Sequence, residues 1–371
     1  MLRSFALLIL LAVPQESKWT HGPPADPAFF PVAVWLQGTG NAAKYKDAGI
    51  NTYVALWDGP TAKQYDALKA LGMKLVCHQN EFALKQKDDA TIIAWMHGDE
   101  PDNAQAKQGG GYGPPILPEK IVADYRKIQA ADPTRPVLLN LGQGVAWDQW
   151  IGRGVRSTHP EDYPEYVKGG DIVSFDIYPA VHDHADIAGK LHKVPEGVER
   201  LRKWGEGKKI VWNCIEASRI DNEKTKPTVP QVRSEVWMSL IHGSTGLIYF
   251  VHQFKPRFIE ASLLQDADLL AGVTAINRQI KELAPVLNSP TILDGAIVTS
   301  SSPVDAMVKR HGDATYVLAA AMRDQGTKAS FDVKGAKGQV EVLGESRTIA
   351  LKDGKFDDDF KSYDVHLYRI K

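Results

Sequence analysis

Two short stretches of this chain set carboxylates where they could do chemistry. WMHGDEP, residues 95–101, places Asp99 beside Glu100 directly after the apolar run Ile92, Ile93, Ala94, and WNCIEAS, residues 212–218, closes another apolar run on Glu216. A neutral carboxyl can protonate a leaving oxygen, and an ionised one can attack or accept a proton. Two of them facing one another across a cleft therefore suit cleavage of a glycosidic bond. Plainer roles compete. Asp99 and Glu100 would also serve as caps in the first turn of a following helix, although PDNAQAKQGGG is a poor helix former. Glu216 would also serve in an ion pair. The chemistry requires a fold that brings both stretches to one mouth.

Such a fold is written along the chain. Short apolar runs recur with polar or helix-like connections between them: 31–38, 51–57, 73–78, 91–98, 135–142, 171–179, 209–218 and 246–253, eight in all. Several are preceded by turn signals such as Ala48-Gly49, Leu71-Gly72 or Gly169-Gly170. Helices are expected over 61–71, 118–131, 195–204 and 230–242, with Pro118, Pro195 and Pro230 each suited to a first helical turn. Near-continuous apolar strands alternating with helices imply a parallel sheet covered on both faces, and eight such units imply a closed (β/α)8 TIM barrel. An open doubly wound sheet competes. Its phosphate-binding signature is missing, because the glycine-dense QGGGYGPP (108–115) does not join a strand directly to a helix.

After an amphipathic helix over 266–287 the texture changes to alternation and hairpin punctuation, as in GDATYVLAAAM, KASFDVKG and SYDVHLYRI. The expected organisation is a barrel over 28–290 followed by an antiparallel β-sandwich over 291–371, structural in the first place and sugar-binding in the second.

In a (β/α)8 barrel the site lies at the C-terminal ends of the strands. Polar residues closing the runs are Gln37, Trp57 with Asp58, His78, Asp99 with Glu100, Asn140 with Gln143, Asp176 with Tyr178, Glu216, and Tyr249 with His252. In DIVSFDIYP, Ser174, Asp176 and Tyr178 share one face and should point into the barrel. Cys214 falls one layer below Glu216. Sugar rings stack on aromatic side chains, and the loop after the fifth run carries Trp147 and Trp150 while the loop after the fourth carries Tyr112. Trp35 and Trp57 read as wall or core. The expected substrate contacts are thus Asp99, Tyr178, Asp176, Asn140, Trp147, Trp150, Tyr112, His78 and His252.

On GDEP and CIEAS, placed after the fourth and seventh runs, the chain resembles the large clan of retaining glycoside hydrolases built on (β/α)8 barrels. The likeness covers roughly residues 30 to 290. It implies Glu100 as acid/base, Glu216 as nucleophile, Tyr178 as the group orienting Glu216, and a retaining O-glycosidase acting on a β-linked oligo- or polysaccharide without a cofactor. One departure stands out: the clan usually has Asn before the acid/base, and this chain has Asp99. A negative charge there would raise the pKa of Glu100, which suits a general acid.

Bulk properties narrow the partners. With 44 Lys+Arg against 45 Asp+Glu and a pI near 6.8, nothing points to nucleic acid. Arg3 followed by the apolar stretch Phe5 to Val13 reads as a signal peptide over 1–17 rather than a membrane span, so a secreted or periplasmic protein is expected, with no membrane association after cleavage. Cys77 and Cys214 each sit in apolar runs and read as buried small hydrophobes. Two other functions share the barrel: a metal-dependent hydrolase or lyase using His78, His97, Asp99, Asp176, Glu216 or His252, and a non-catalytic carbohydrate-binding barrel. The first lacks closely spaced His on an early strand.

Overall fold

The computed structural model describes residues 19–371. The expected signal peptide therefore lies outside the described residues. Nine parallel strands form the first sheet: β1 (Val32–Trp35), β2 (Thr52–Val54), β3 (Lys74–Cys77), β4 (Ile92–Asp99), β5 (Val137–Leu141), β6 (Ile172–Phe175), β7 (Ile210–Val211), β8 (Asn213–Glu216) and β9 (Leu247–Phe250). Their order is β7-β6-β5-β4-β3-β2-β1-β9-β8. β7 and β8 are one stave interrupted at Trp212: β7 pairs with β6, β8 pairs with β9, and the Trp212 N–H donates to Val173 O of β6 at 3.0 Å. The barrel thus closes on eight staves, as the runs imply. The Trp212 indole packs so tightly on Gly246, just before β9, that a Cβ there would meet the ring at 2.6 Å, which excludes any larger residue.

Alternation along each strand sorts the core into two layers. In β1, Ala33 and Trp35 point into the barrel with Val76, Met96, Leu138 and Ile248. Val32 and Val34 point out to the helix layer with Tyr45, Leu68 and Val236. The helices are α1 (Ala42–Asp47), α2 (Ala62–Ala70), α3 (Glu81–Lys85), α4 (Pro118–Ala131), α5 (Tyr163–Tyr166), α6 (Lys193–Trp204), α7 (Val229–Ile241) and α8 (Ala267–Leu287). Capping boxes start two of them, Thr61 with Gln64 at α2 and Thr228 with Gln231 at α7. Among the described residues no helix is long and apolar enough to cross a membrane.

The C-terminal strands are β10 (Ala296–Ser300), β11 (Val304–His311), β12 (Ala314–Ala321), β13 (Thr327–Val333), β14 (Gln339–Val342), β15 (Arg347–Ala350), β16 (Lys355–Phe360) and β17 (Val365–Ile370). They form a β-sandwich of two antiparallel sheets, β10-β13-β16 and β11-β12-β17-β14-β15. Every residue of β12 is buried, and its two faces explain why. Val317, Ala319 and Ala321 pack on Phe331 and Phe356 between the sheets, whereas Leu318 and Ala320 join the helix layer of the barrel. Polar ties reinforce this seam. Arg233 Nη1 of α7 donates to Val365 O at 2.8 Å, and Lys309 Nζ of β11 donates to Leu287 O at 2.9 Å and Ser289 O at 2.5 Å.

Lys309 is buried, so removing its ammonium strands those carbonyls at the end of α8, at a cost of about 1–3 kcal/mol per buried acceptor left unmatched. Lys309→Met should therefore lower the melting temperature measured by calorimetry. An unchanged transition would show that water satisfies the carbonyls instead.

Candidate active site

β4 runs on to Asp99, and the chain then bends at Glu100, whose φ of +40° is one that side-chain-bearing residues rarely adopt. Its N–H donates to Asn140 O of β5 at 3.0 Å, which fixes the bend. α4 begins only at Pro118, so neither acid caps a helix. The bend instead turns both carboxyls toward a cavity of about 720 Å³ at the C-terminal mouth of the barrel. That volume lies within the range of small-molecule sites.

Asp99, Glu100 and Asp176 meet on the cavity lining. Asn140 organises them. Its Oδ1 accepts from Ser174 Oγ at 2.7 Å, which aims its Nδ2 at Asp99 Oδ1 (3.0 Å) and Asp176 Oδ1 (3.4 Å). The Glu100 and Asp176 carboxyls are neighbours on this floor. Burial, and then the neighbouring Asp176 and Asp99 charges, hold the Glu100 carboxyl well above the usual range. Burial and the Asp99 charge lift Asp176 to about 7. Asp99 opens directly onto the cavity, yet the surrounding walls lift it to about 6 against the hydrogen bond from Asn140. At neutral pH the cluster therefore keeps at least one proton, and Asp99 is the member most readily ionised. The Tyr178 hydroxyl is buried without a hydrogen-bond partner among the described residues, and its ring packs on Phe250 at 5.2 Å.

Four of the expected site residues stand off the cavity lining: Glu216, Trp147, Tyr112 and His78. Glu216 does not face Glu100. It is fully buried (0% exposed), off the cavity lining, and its Oε1 and Oε2 accept the N–H groups of Ala180 and Val181 at 2.6 and 3.0 Å. Its carboxyl partner is Glu235 of α7, equally buried. With both oxygens committed to backbone and no open approach, Glu216 is an anchor for the loop after β6 rather than a nucleophile. Tyr178 makes no hydrogen bond to Glu216. Trp147 is buried beneath Trp150, ring centroids 5.6 Å apart, and supports it from outside the lining. Tyr112 (74% exposed) and His78 also stand outside the lining. Asn140, Trp150 and His252 are on it, with His252 Nε2 at 3.0 Å from both Gln37 Nε2 and Leu36 O.

The lining also contains Trp57, which sequence reading left in the wall, and His182, Asp221, Phe254 and Lys255, which it passed over. The aromatic HQFKPRF that follows the eighth run was the available signal for the last group. Among the described residues no group of three or more His, Cys, Asp or Glu is arranged to hold a metal ion.

No protein-family model matches the chain, and no curated protein matches it by sequence. Solved structures do match in fold. An α-amylase from Anoxybacillus superposes with a TM-score of 0.54 at 9% identity, covering 93% of this chain and 98% of that one. The α-amylase of Geobacillus thermoleovorans, solved with acarbose, gives 0.53 at 8% identity over 93% and 98%. A maltogenic α-amylase from Thermotoga neapolitana gives 0.51 at 10% identity over 93% and 99%. At such identities the likeness establishes the barrel with its appended β-sheets.

The Glu216–Glu235 pair carries a pH signature. Burial lifts Glu216 from 4.5 to about 7 and holds Glu235 well above the usual carboxylate range. The folded chain thus keeps protons that the unfolded chain releases. Stability from this source is full below about pH 4.5 and is lost as pH rises through about 7. In Glu235→Gln one of the two buried carboxyls no longer titrates. The variant's melting temperature, followed from pH 5 to 8, should fall less than that of the wild type, whereas parallel curves would show that the pair does not titrate.

Proposed function

We propose that the chain is a glycoside hydrolase whose chemistry is carried by Asp99, Glu100 and Asp176. The observation behind this is their convergence on one barrel-mouth cavity with at least one proton retained at neutral pH. Glycosidic cleavage needs a carboxyl that can still donate a proton beside one that is already ionised. In this reading the Glu100–Asp176 pair gives its proton to the leaving oxygen. Asp99, steadied by Asn140, attacks the anomeric carbon, and water later releases the glycosyl ester with the proton returning to the pair. This keeps a retaining double displacement but moves the nucleophile from Glu216 to Asp99. Trp150 supplies a flat apolar face for the sugar, its indole N–H held by Asn103 Oδ1 at 2.8 Å. The fold likeness to α-amylases supports the reaction class. Export remains part of the proposal, on the apolar stretch behind Arg3.

Aryl α- and β-glycosides together with oligosaccharides provide the assay. Asp99→Asn, Glu100→Gln and Asp176→Asn should each lower turnover by roughly 10²- to 10⁴-fold. Glu216→Gln should lose thermal stability and less than about tenfold in turnover, as suits a residue acting only through a loop. With Asp99→Ala, added azide should yield a glycosyl azide. Full activity in that variant, or abolished turnover confined to Glu216→Gln, would overturn the assignment.

The pH profile follows from the same groups. Activity per KM should fall below about pH 6 as Asp99 takes up a proton, and fall again on the alkaline side as Glu100, held well above the usual carboxylate range, gives up its own. A profile flat from pH 5 to 8 would contradict the roles given to them.

A further inference from the structure

Three aromatic side chains that this reaction does not use stand exposed together at one lip of the cavity. Trp57 is 44% exposed, Phe254 47% and Phe258 55%. Trp57 and Phe254 line the cavity, and Phe258 extends the patch, 5.8 Å from Phe254 between ring centroids. A contiguous exposed cluster of large rings marks a binding surface.

The lip is built rather than incidental. The Trp57 indole N–H is committed to Glu260 Oε1 at 2.8 Å, and the same oxygen accepts from the Gly38 N–H at 2.5 Å. Trp57 is thereby fixed, and what it offers a ligand is the face of its ring. His252, held by Gln37 and Leu36, stacks on both phenylalanines, with centroids at 6.1 and 5.9 Å. Beside the rings, Lys255 Nζ and Asp221 Oδ2 sit 3.6 Å apart on the cavity lining, placing a donor and an acceptor at the edge of the apolar surface. Strand order sets the lip across the mouth from Trp150, since Trp57 follows β2 and Phe254 follows β9, the two neighbours of β1, while Trp150 follows β5. The acidic floor thus lies between two aromatic walls.

A flat apolar face with a hydroxylated edge is the chemistry of a pyranose ring. We infer that the Trp57–Phe254–Phe258 lip is a sugar-stacking subsite, so that the substrate is a neutral oligosaccharide reaching across the mouth from Trp150 to Trp57. This rests on the glycosidase reading and names its substrate class.

The test uses the full chain, Asp176→Asn to hold substrate uncleaved, and Phe254→Ala and Phe258→Ala in that background. Each is probed against neutral oligosaccharides of two to six pyranose units in α-1,4, β-1,4 and β-1,3 series, with melting temperatures confirming folding. Asp176→Asn should gain affinity with chain length in one series, and each ring removed should weaken the longer members by roughly threefold to tenfold. Equal affinities in the ring variants at every length, or no binding by any oligosaccharide, would overturn the subsite. Release of reducing ends is followed separately, by the wild type and by Phe254→Ala and Phe258→Ala in the otherwise wild-type chain. Length-dependent binding that needs the rings, with no sugar released, would uphold the lip and defeat the hydrolase. Sugar released equally well without the rings would defeat the lip and uphold the hydrolase.

Discussion

A single carboxamide governs the acidic floor of the cavity. Asn140 has one acceptor oxygen and two N–H donors, and Ser174 occupies the oxygen. The amide nitrogen must then point to the cavity, where Asp99 and Asp176 both reach it. Rotating the amide would set its oxygen against two acidic side chains, whereas the serine hydroxyl can donate or accept. The orientation is therefore dictated from the Asp99 and Asp176 side. It rests on strand register as well, since Asn140 pairs with Ser174 across β5 and β6 and with Asp99 across β4 and β5.

Behind the floor, a layer of buried groups stiffens the loops that present it. Asp102 accepts from the Gly142 N–H at 2.9 Å and from Tyr163 Oη at 2.8 Å, tying the turn after β4 to the loop after β5 and to α5. Arg153, buried and lying over the Tyr163 ring at 4.8 Å, donates to Asp102 O at 3.3 Å and to Asp162 at 2.6 Å. Its positive charge partly offsets Asp102, whose own carboxyl burial pushes up. Under the loop after β6, Glu216 performs the equivalent task with Ala180 and Val181. Three separate loops are thereby held at fixed heights around one cavity, which is what a reaction sensitive to ångström displacements requires.

The barrel was legible because strands buried on both faces must be apolar throughout, and eight such runs leave little choice but closure. Asp176 and Tyr178 were legible because strand parity places side chains with period two, whereas Asp99 and Asn140 were legible only as polar residues closing apolar runs, and the register shift between Met96 and Asp99 was not. Glu216 was not, because parity stops at the end of a strand. Its side chain turns beneath the next loop, where two backbone N–H groups outcompete an open cavity. The warning lay far along the chain, in RSEVWMSL, where Glu235 interrupts an otherwise apolar helix and so needs a buried partner. The break of the seventh stave at Trp212 was hidden for a similar reason: KIVWNCIEAS reads as one strand, and only the packing of an indole against Gly246 parts it.

Crowding three carboxyls on one floor opposes folding, and so does the bend at Glu100. A residue held at positive φ costs on the order of 1–3 kcal/mol. Neither would survive in an isolated loop. Both persist here because the ends of the bend are pinned, by the parallel ladder of β4 on one side and by the buried Asp102 on the other. The closed sheet thus stores unfavourable electrostatics at its mouth. The resting chain relieves that repulsion by keeping a proton on the cluster at neutral pH. The same crowding that raises the carboxyl pKa values thus keeps a transferable proton on the floor at a pH where a carboxyl in water would have lost it.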